Sequence, residues 1–196
     1  MSQLQIIKYE YIAKSTYKSL LLVIFYSFLN LPSFAQKLKS DTTLQFNFSD
    51  LSRNKGSVIV FFDTDCPICQ KYTRLLKEIN QQYSAQGIKV YVVYPHNHVD
   101  IAAIRGFKTE YQFDLPIYFD KKQKLLHQLK GSVTPEVFLL NNQGRTIYHG
   151  AIDNWFYGLG KSRTKATENY LLNAIDALIK GENIKITYHE PIGCAL

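Results

Sequence analysis

The chain has 196 residues, three cysteines and a formal net charge of +7. Its basic residues are scattered, and the densest cluster, Lys121-Lys122-Gln123-Lys124, reads as a solvated turn, so the charge gives no ground for nucleic-acid binding. The length suits one domain with its own hydrophobic core, and no repeat or low-complexity tract interrupts it.

In chain order, Lys8, Lys14 and Lys18 precede an apolar run from Leu20 to Leu31, followed by Ser33-Phe34-Ala35. A basic flank, a short apolar stretch and small residues before a cut are the three parts of a secretory signal peptide, here residues 1–35. The run is short for a bilayer span, and an uncleaved membrane anchor is the alternative. With no Cys after the small residues, a lipoprotein anchor is not expected. The remaining domain, 36–196, has 161 residues (196 − 35) and a charge of about +5 (20 basic minus 15 acidic). Export implies a periplasmic or extracellular location and an oxidising compartment.

Leu44, Phe46 and Phe48 alternate with polar residues and predict a short strand. Val58 to Phe62 is apolar at every position, the mark of a strand buried on both faces. Tyr72, Leu75, Leu76, Ile79 and Tyr83 recur at helical spacing within 70–83, and Gly87 closes that helix. Ile88–Tyr94 predicts a second buried strand, 99–111 a helix, Leu115–Phe119 a strand and 121–130 a short helix. Val137–Leu140 and Thr146–His149 flank Asn141-Asn142-Gln143-Gly144, a hairpin turn signal. Thr164–Lys180 predicts a last helix ended by Gly181, and Ile184–Leu196 a tail that is either extended or free. Alternating β and α units, then a hairpin and a closing helix, make an α/β thioredoxin-like fold. Its central mixed β-sheet is flanked by helices, with an additional N-terminal strand and a helical insertion over 99–130.

Cys66-Pro67-Ile68-Cys69 sits where the strand gives way to the helix. A helix N-terminus presents unpaired N–H groups and a partial positive charge, and both favour a thiolate. Cys66 is expected to be the exposed nucleophile, with Cys69 inside the first turn to attack the mixed disulfide it forms. Asp63 and Asp65 oppose thiolate formation. Pro67 suits the first helical turn. The motif points to thiol–disulfide exchange. A purely structural Cys66–Cys69 bridge is disfavoured, because so small a loop restrains little chain entropy. Cys194 is left over. It is a buried small hydrophobe, a third redox thiol or ligand near the other two, or an intermolecular disulfide partner. Trp155, Phe156 and Tyr157 form an aromatic cluster, either core packing or a docking surface, and Lys161 and Arg163 read as a solvated helix start.

The run Phe61-Phe62-Asp63-Thr64-Asp65-Cys66-Pro67-Ile68-Cys69, with Thr134-Pro135-Glu136-Val137-Phe138-Leu139, resembles the exported TlpA/ResA-type redoxins of the thioredoxin and AhpC-TSA-like superfamily. Tyr148–Asn154, Gly160–Arg163 and the terminal Gly193-Cys194 resemble a subset of redoxin-domain proteins. The resemblance implies a thiol–disulfide oxidoreductase without a cofactor, whose partners are protein thiols and disulfides and a redox partner not given by the fold. It further implies a cis Thr134–Pro135 bond packed against the cysteines, with Thr134 aligning a client backbone and Pro135 shaping the groove. Three features depart from the thioredoxin pattern: Val60 replaces a buried Asp, Asp65 an aromatic residue, and Pro67-Ile68 the usual order of that dipeptide. No redox direction is therefore carried over.

Two alternatives stand beside this reading. A peroxidase needs a Thr three residues before its reactive Cys, and Asp63 stands there. A copper- or zinc-binding metallochaperone would draw on the three thiols and on His96, His98, His149 or His189.

Overall fold

Strand β3 (Gly56–Phe61) is buried at all six positions and lies at the centre of an eight-stranded sheet. The computed structural model describes residues 37–196, which belong to a compact unit spanning Ala35–Leu196. The expected signal segment and its cut after Ala35 lie outside the described residues. Among the described residues no helix is long and apolar enough to cross a membrane.

Successive side chains of a strand point to opposite faces, and β3 uses both. Val58 and Val60 pack into one core with Phe62, while Ile59 and Phe61 pack into a second core on the other face. That two-sided burial is why the run carries no polar alternation. β3 pairs in parallel with β4 (Ile88–Tyr94) and antiparallel with β7 (Glu136–Asn141), so the sheet is mixed. Outward from β4 lies β5 (Ile117–Phe119), then β1 (Lys37–Ser40) and β2 (Gln45–Asn47). Outward from β7 lies β8 (Thr146–Gly150), then β11 (Tyr188–His189).

Helix α1 (Pro67–Tyr83) lays Ile68, Cys69, Tyr72, Leu76, Ile79 and Tyr83 on the Val58/Val60 face. The same core takes Ile104 and Phe107 from α2 (Ile101–Glu110), and Leu171, Ala174 and Ile175 from α4 (Tyr170–Lys180). The opposite core takes Leu125 and Leu126 from α3 (Lys124–Leu129). The expected thioredoxin-like architecture, with its N-terminal addition and helical insertion, is present.

Three expectations need correction. The strand expected around Leu44–Phe48 is the second arm of a hairpin, with β1 paired from Lys37↔Asn47 to Lys39↔Gln45. Phe48 begins a 3₁₀ turn, and Leu44 is 53% exposed. Ser40 Oγ accepts the Thr42 N–H at 3.1 Å and donates to Leu44 O at 2.8 Å, closing the connection. The last helix begins at Tyr170 rather than Thr164. Asn154 Oδ1 accepts the N–H groups of Thr167 (2.8 Å) and Glu168 (3.1 Å), which removes those donors from helix formation. Lys161 and Ser162 do not start a helix but form β10, paired with β9 (Phe156–Gly158). Arg163 Nη1 donates to Asn154 O, and its guanidinium lies 5.2 Å from the centre of the Tyr157 ring.

Phe46 is fully buried, with its ring 4.5 Å from that of Tyr91 and 6.0 Å from that of Tyr118 (centroid distances). Phe46→Ala should therefore cost about 3–5 kcal/mol of stability, measured by urea denaturation. A loss below about 1 kcal/mol would mean that the N-terminal hairpin is not part of the cooperative core.

Candidate active site

Cys66 is the N-cap of α1 and Pro67 its first residue, so the sulfur of Cys66 stands at the positive end of a 17-residue helix. The Thr134–Pro135 bond is cis. Thr134 belongs to β6 (Val133–Thr134), and its carbonyl oxygen lies 3.2 Å from Cys66 Sγ. Glu136, buried just after the proline, accepts the Ser132 N–H at 2.7 Å and approaches the Val133 N–H at 3.4 Å, which fixes the short β6 segment.

Cys66 is bonded to Cys194, not to Cys69. The two Cα atoms are 6.1 Å apart across a sequence separation of 128 residues. The tail delivers Cys194 as a strand: β12 (Cys194–Ala195) runs antiparallel to β6, with Cys194 opposite Thr134 and Ala195 opposite Val133. The Leu196 N–H donates to Ser132 O at 3.2 Å and extends the ladder. The expectation that Cys66 is exposed is therefore corrected: it is 2% exposed, with the docked tail bonded to its sulfur. Cys194 is thus placed directly at Cys66.

Cys69 is a free, fully buried thiol in the first turn of α1. The Asp63 N–H points at its sulfur from 3.5 Å. Burial pushes the Cys69 thiol up from 9.0 to about 12. The Asp63 N–H and the nearby Thr134 hydroxyl pull the other way, while the Asp63 carboxylate adds to the rise. Thr134 Oγ1 is buried without a hydrogen-bond partner of ordinary geometry, so its effect is one of proximity rather than of a formed bond. Asp63 Oδ1 accepts the Asp65 N–H at 2.9 Å. Its Oδ2 is 3.1 Å from His96 Nε2, close in distance but not aligned as a hydrogen bond.

Beside the proline, Tyr72 Oη donates to Asp153 Oδ1 at 2.5 Å, and the Trp155 N–H donates to the same oxygen at 2.8 Å. Desolvation raises the Asp153 carboxyl above its ordinary range, against the pull of these two donors. Trp155 and Phe156 pack on the Tyr72 ring at 5.6 and 5.8 Å between centroids. A narrow cleft joins Tyr72 and Phe156 to Pro135 and to Ile192 of the tail.

The AhpC/TSA family profile matches residues 30–149. The chain belongs to the AhpC/TSA family. Among curated proteins, the thiol-disulfide oxidoreductase ResA of Bacillus anthracis is 25% identical over 95 residues, 48% of this chain and 54% of that protein. The chain thus spans about half the length of the curated relatives it matches. A hypothetical protein of Sinorhizobium meliloti has the same fold with a TM-score of 0.70 at 22% identity, covering 85% of this chain and 93% of that one. The exposed lipoprotein thioredoxin of Streptococcus pneumoniae matches with a TM-score of 0.52 at 19% identity, over 58% of this chain and 86% of that one. The fold is thioredoxin-like, and the chain is a redoxin resembling the TlpA/ResA type.

In this AhpC/TSA-family site the candidate residues Cys66, Cys69, Thr134, Pro135 and Cys194 converge. The histidines considered as metal ligands do not join them in a ligand cluster. His149 stacks on Phe138 and contacts Tyr188, His189 stacks on Tyr170, and His98 is exposed. Among the described residues no group of three or more His, Cys, Asp or Glu side chains could hold a metal ion. Sequence reasoning missed Glu136 and Asp153. Glu136 stands directly after Thr134-Pro135, where a carboxylate inside an apolar strand was the available signal.

Proposed function

We propose that this protein is an exported thiol–disulfide oxidoreductase that exchanges disulfides with protein clients through Cys66 and Cys69. The observation that carries the reading is the position of Cys66, at a helix N-terminus, against the cis-proline segment, and already in a disulfide with an extended strand. A helix N-terminus favours the thiolate that attacks disulfides. The Cys66 thiolate attacks a client disulfide and forms a mixed disulfide, releasing one client thiolate. The Cys69 thiolate then attacks Cys66 Sγ, releases the second client thiolate and leaves Cys66–Cys69 oxidised. The reverse sequence oxidises a client dithiol. Thr134 offers its main chain to the client strand, Pro135 shapes the groove, and the Thr134 hydroxyl stands near the Cys69 sulfur as it ionises. Residues 1–35 act as the export signal, which delivers the domain to the periplasm or the exterior.

The test uses the full chain with Cys69 and Cys194 both replaced by Ser, leaving Cys66 as its only thiol. Incubated with insulin, whose disulfides serve as model clients, this variant should accumulate an adduct at Cys66 that dithiothreitol releases, read by intact mass. No adduct at Cys66 over a pH range of about 7 to 9 would overturn the proposal.

A further inference from the structure

The edge of β6 that a client strand would use is occupied by the chain's own C-terminus. Cys194 stands opposite Thr134, Ala195 opposite Val133, and the Leu196 N–H bonds to Ser132 O. A strand added to a free sheet edge, with side chains read in adjoining pockets, is a general mode of peptide recognition. The occupant is held by the same elements that a client would meet. Ile192 is half-buried against the main core and shares the cleft with Pro135, Tyr72 and Phe156. Gly193 lies so close to Thr134 that a Cβ there would fall within contact distance of its carbonyl oxygen, 2.7 Å from its carbonyl carbon and 3.2 Å from Pro135 N. Those atoms are backbone, in a segment braced by Glu136, and they cannot swing aside.

The bond the tail makes is also exposed to internal chemistry. Cys69 is a free thiol three residues from Cys66 in the same helical turn. A structural disulfide with a free thiol this near one of its sulfurs is open to exchange.

We propose that the C-terminal strand is a tethered client mimic: Cys194 acts as a third redox thiol that closes Cys66 in an intramolecular mixed disulfide, and the groove it fills selects clients whose reactive cysteine follows a glycine. This rests on the exchange activity proposed above and adds the substrate class. Cys69 loses its proton to solvent, and the thiolate attacks Cys66 Sγ. The Cys66–Cys194 bond breaks, the Cys66–Cys69 bond forms, and Cys194 leaves as a thiolate that takes up a proton. No electrons are gained or lost in this isomerisation. The tail then leaves the β6 edge, and the groove opens to a client strand. An incoming Gly-Cys client takes the register of Gly193-Cys194, with an apolar residue preceding the glycine in the place of Ile192.

Two measurements on the full chain test this. In the oxidised wild-type protein, blocked with iodoacetamide and digested without reduction, the Cys66–Cys194 peptide pair should be found. Gly193→Ala should shift the disulfide to Cys66–Cys69, because the added methyl drives the tail off the edge. An unchanged Cys66–Cys194 fraction in Gly193→Ala, or its absence from the wild type, overturns the mimic. The second measurement uses the Cys69→Ser chain and two synthetic peptide thiols, Ile-Gly-Cys-Ala and Ile-Ala-Cys-Ala. The glycine peptide should displace Cys194 from Cys66 at least about tenfold more effectively, since overpacking against fixed backbone is the only difference. Equal displacement overturns the selectivity. A reversible thiol couple between the wild-type protein and glutathione, which does not depend on a glycine in the groove, reports separately on the exchange activity.

Discussion

Replacing Cys66 with Ser is expected to lower the catalysed reduction of insulin disulfides by dithiothreitol by about 10³-fold or more, to the uncatalysed rate, because the attacking atom is gone. The reason is positional. Cys66 is the sulfur at the N-cap of α1, where the helix end favours its thiolate, and its sulfur stands 3.2 Å from the Thr134 carbonyl oxygen. Cys69 cannot substitute for it. It is fully buried, and its thiol is pushed up to about 12, so at neutral pH it is protonated and out of reach of a client. Cys194 cannot substitute either, since it sits on the tail rather than at a helix terminus. Retention of more than about a tenth of the wild-type rate in Cys66→Ser would remove the nucleophile from the account.

The second large effect is on pH. The thiolate is the attacking species, and the Cys69 thiol lies at about 12. Conversion of Cys66–Cys194 into Cys66–Cys69 should therefore accelerate about tenfold for each pH unit from 7 upward, with no plateau near 9, where a solvent-exposed thiol would level off. Rapid acid quenching and mass mapping of the disulfides give the rate. A plateau at or below pH 9 would show that Cys69 ionises as an ordinary thiol. The same shift carries a sign for stability. A thiol raised in the folded state contributes stability that is fully present below its unfolded value of 9.0 and is lost as pH rises through about 12. In the protein with Cys66 bonded to Cys194, alkaline destabilisation should thus begin above pH 9 and be weakened when Cys69 is replaced by Ala.

Cys69 is buried because it faces the core from the first turn of α1, and one departure from the thioredoxin pattern leaves it without a carboxylate partner there. Position 60 is Val, fully buried in the core that also holds Cys69. No carboxylate is supplied from that point on β3 to accept the proton of Cys69. The polar groups near its sulfur come instead from Asp63 and Thr134. The Asp63 carboxylate raises the thiol further, and the amide and hydroxyl only partly offset it. In the exchange proposed above, a thiol raised to about 12 would make Cys69 slow to resolve a mixed disulfide at neutral pH.

Much of this arrangement was legible in the sequence, and what was not has identifiable causes. The continuous run Val58–Phe62 announced a strand buried on both faces, and the helical spacing from Tyr72 to Tyr83 announced the helix that follows the cysteines. Both depend on local periodicity. The N-terminal hairpin was harder to see, because Leu38 is the only apolar residue among Lys37-Leu38-Lys39-Ser40 and its partner strand supplies the rest of the signal. Residues 164–169 look helical until the Asn154 side chain takes the N–H donors of Thr167 and Glu168, contacts 13 and 14 residues away. The partner of Cys66 is set by tail docking across 128 residues, which no spacing rule encodes. In retrospect two glycines marked the path. Gly150 has a φ of 113°, and any side chain there would collide with the His189 carbonyl as the tail passes. Gly193 makes the corresponding close approach at Thr134.

Thiol–disulfide exchange at Cys66 is tested by the reduction potential of its disulfide in the full chain, measured by equilibration with glutathione or dithiothreitol buffers and counted by alkylation and mass. One reversible two-electron couple is expected, in which Cys66 is disulfide-bonded in the oxidised form and three thiols are free in the reduced form. A value near roughly −270 mV would make the protein a reductant and one near roughly −120 mV an oxidant. A Cys66 that neither gains nor loses a disulfide reversibly across that range would contradict thiol–disulfide exchange as its chemistry.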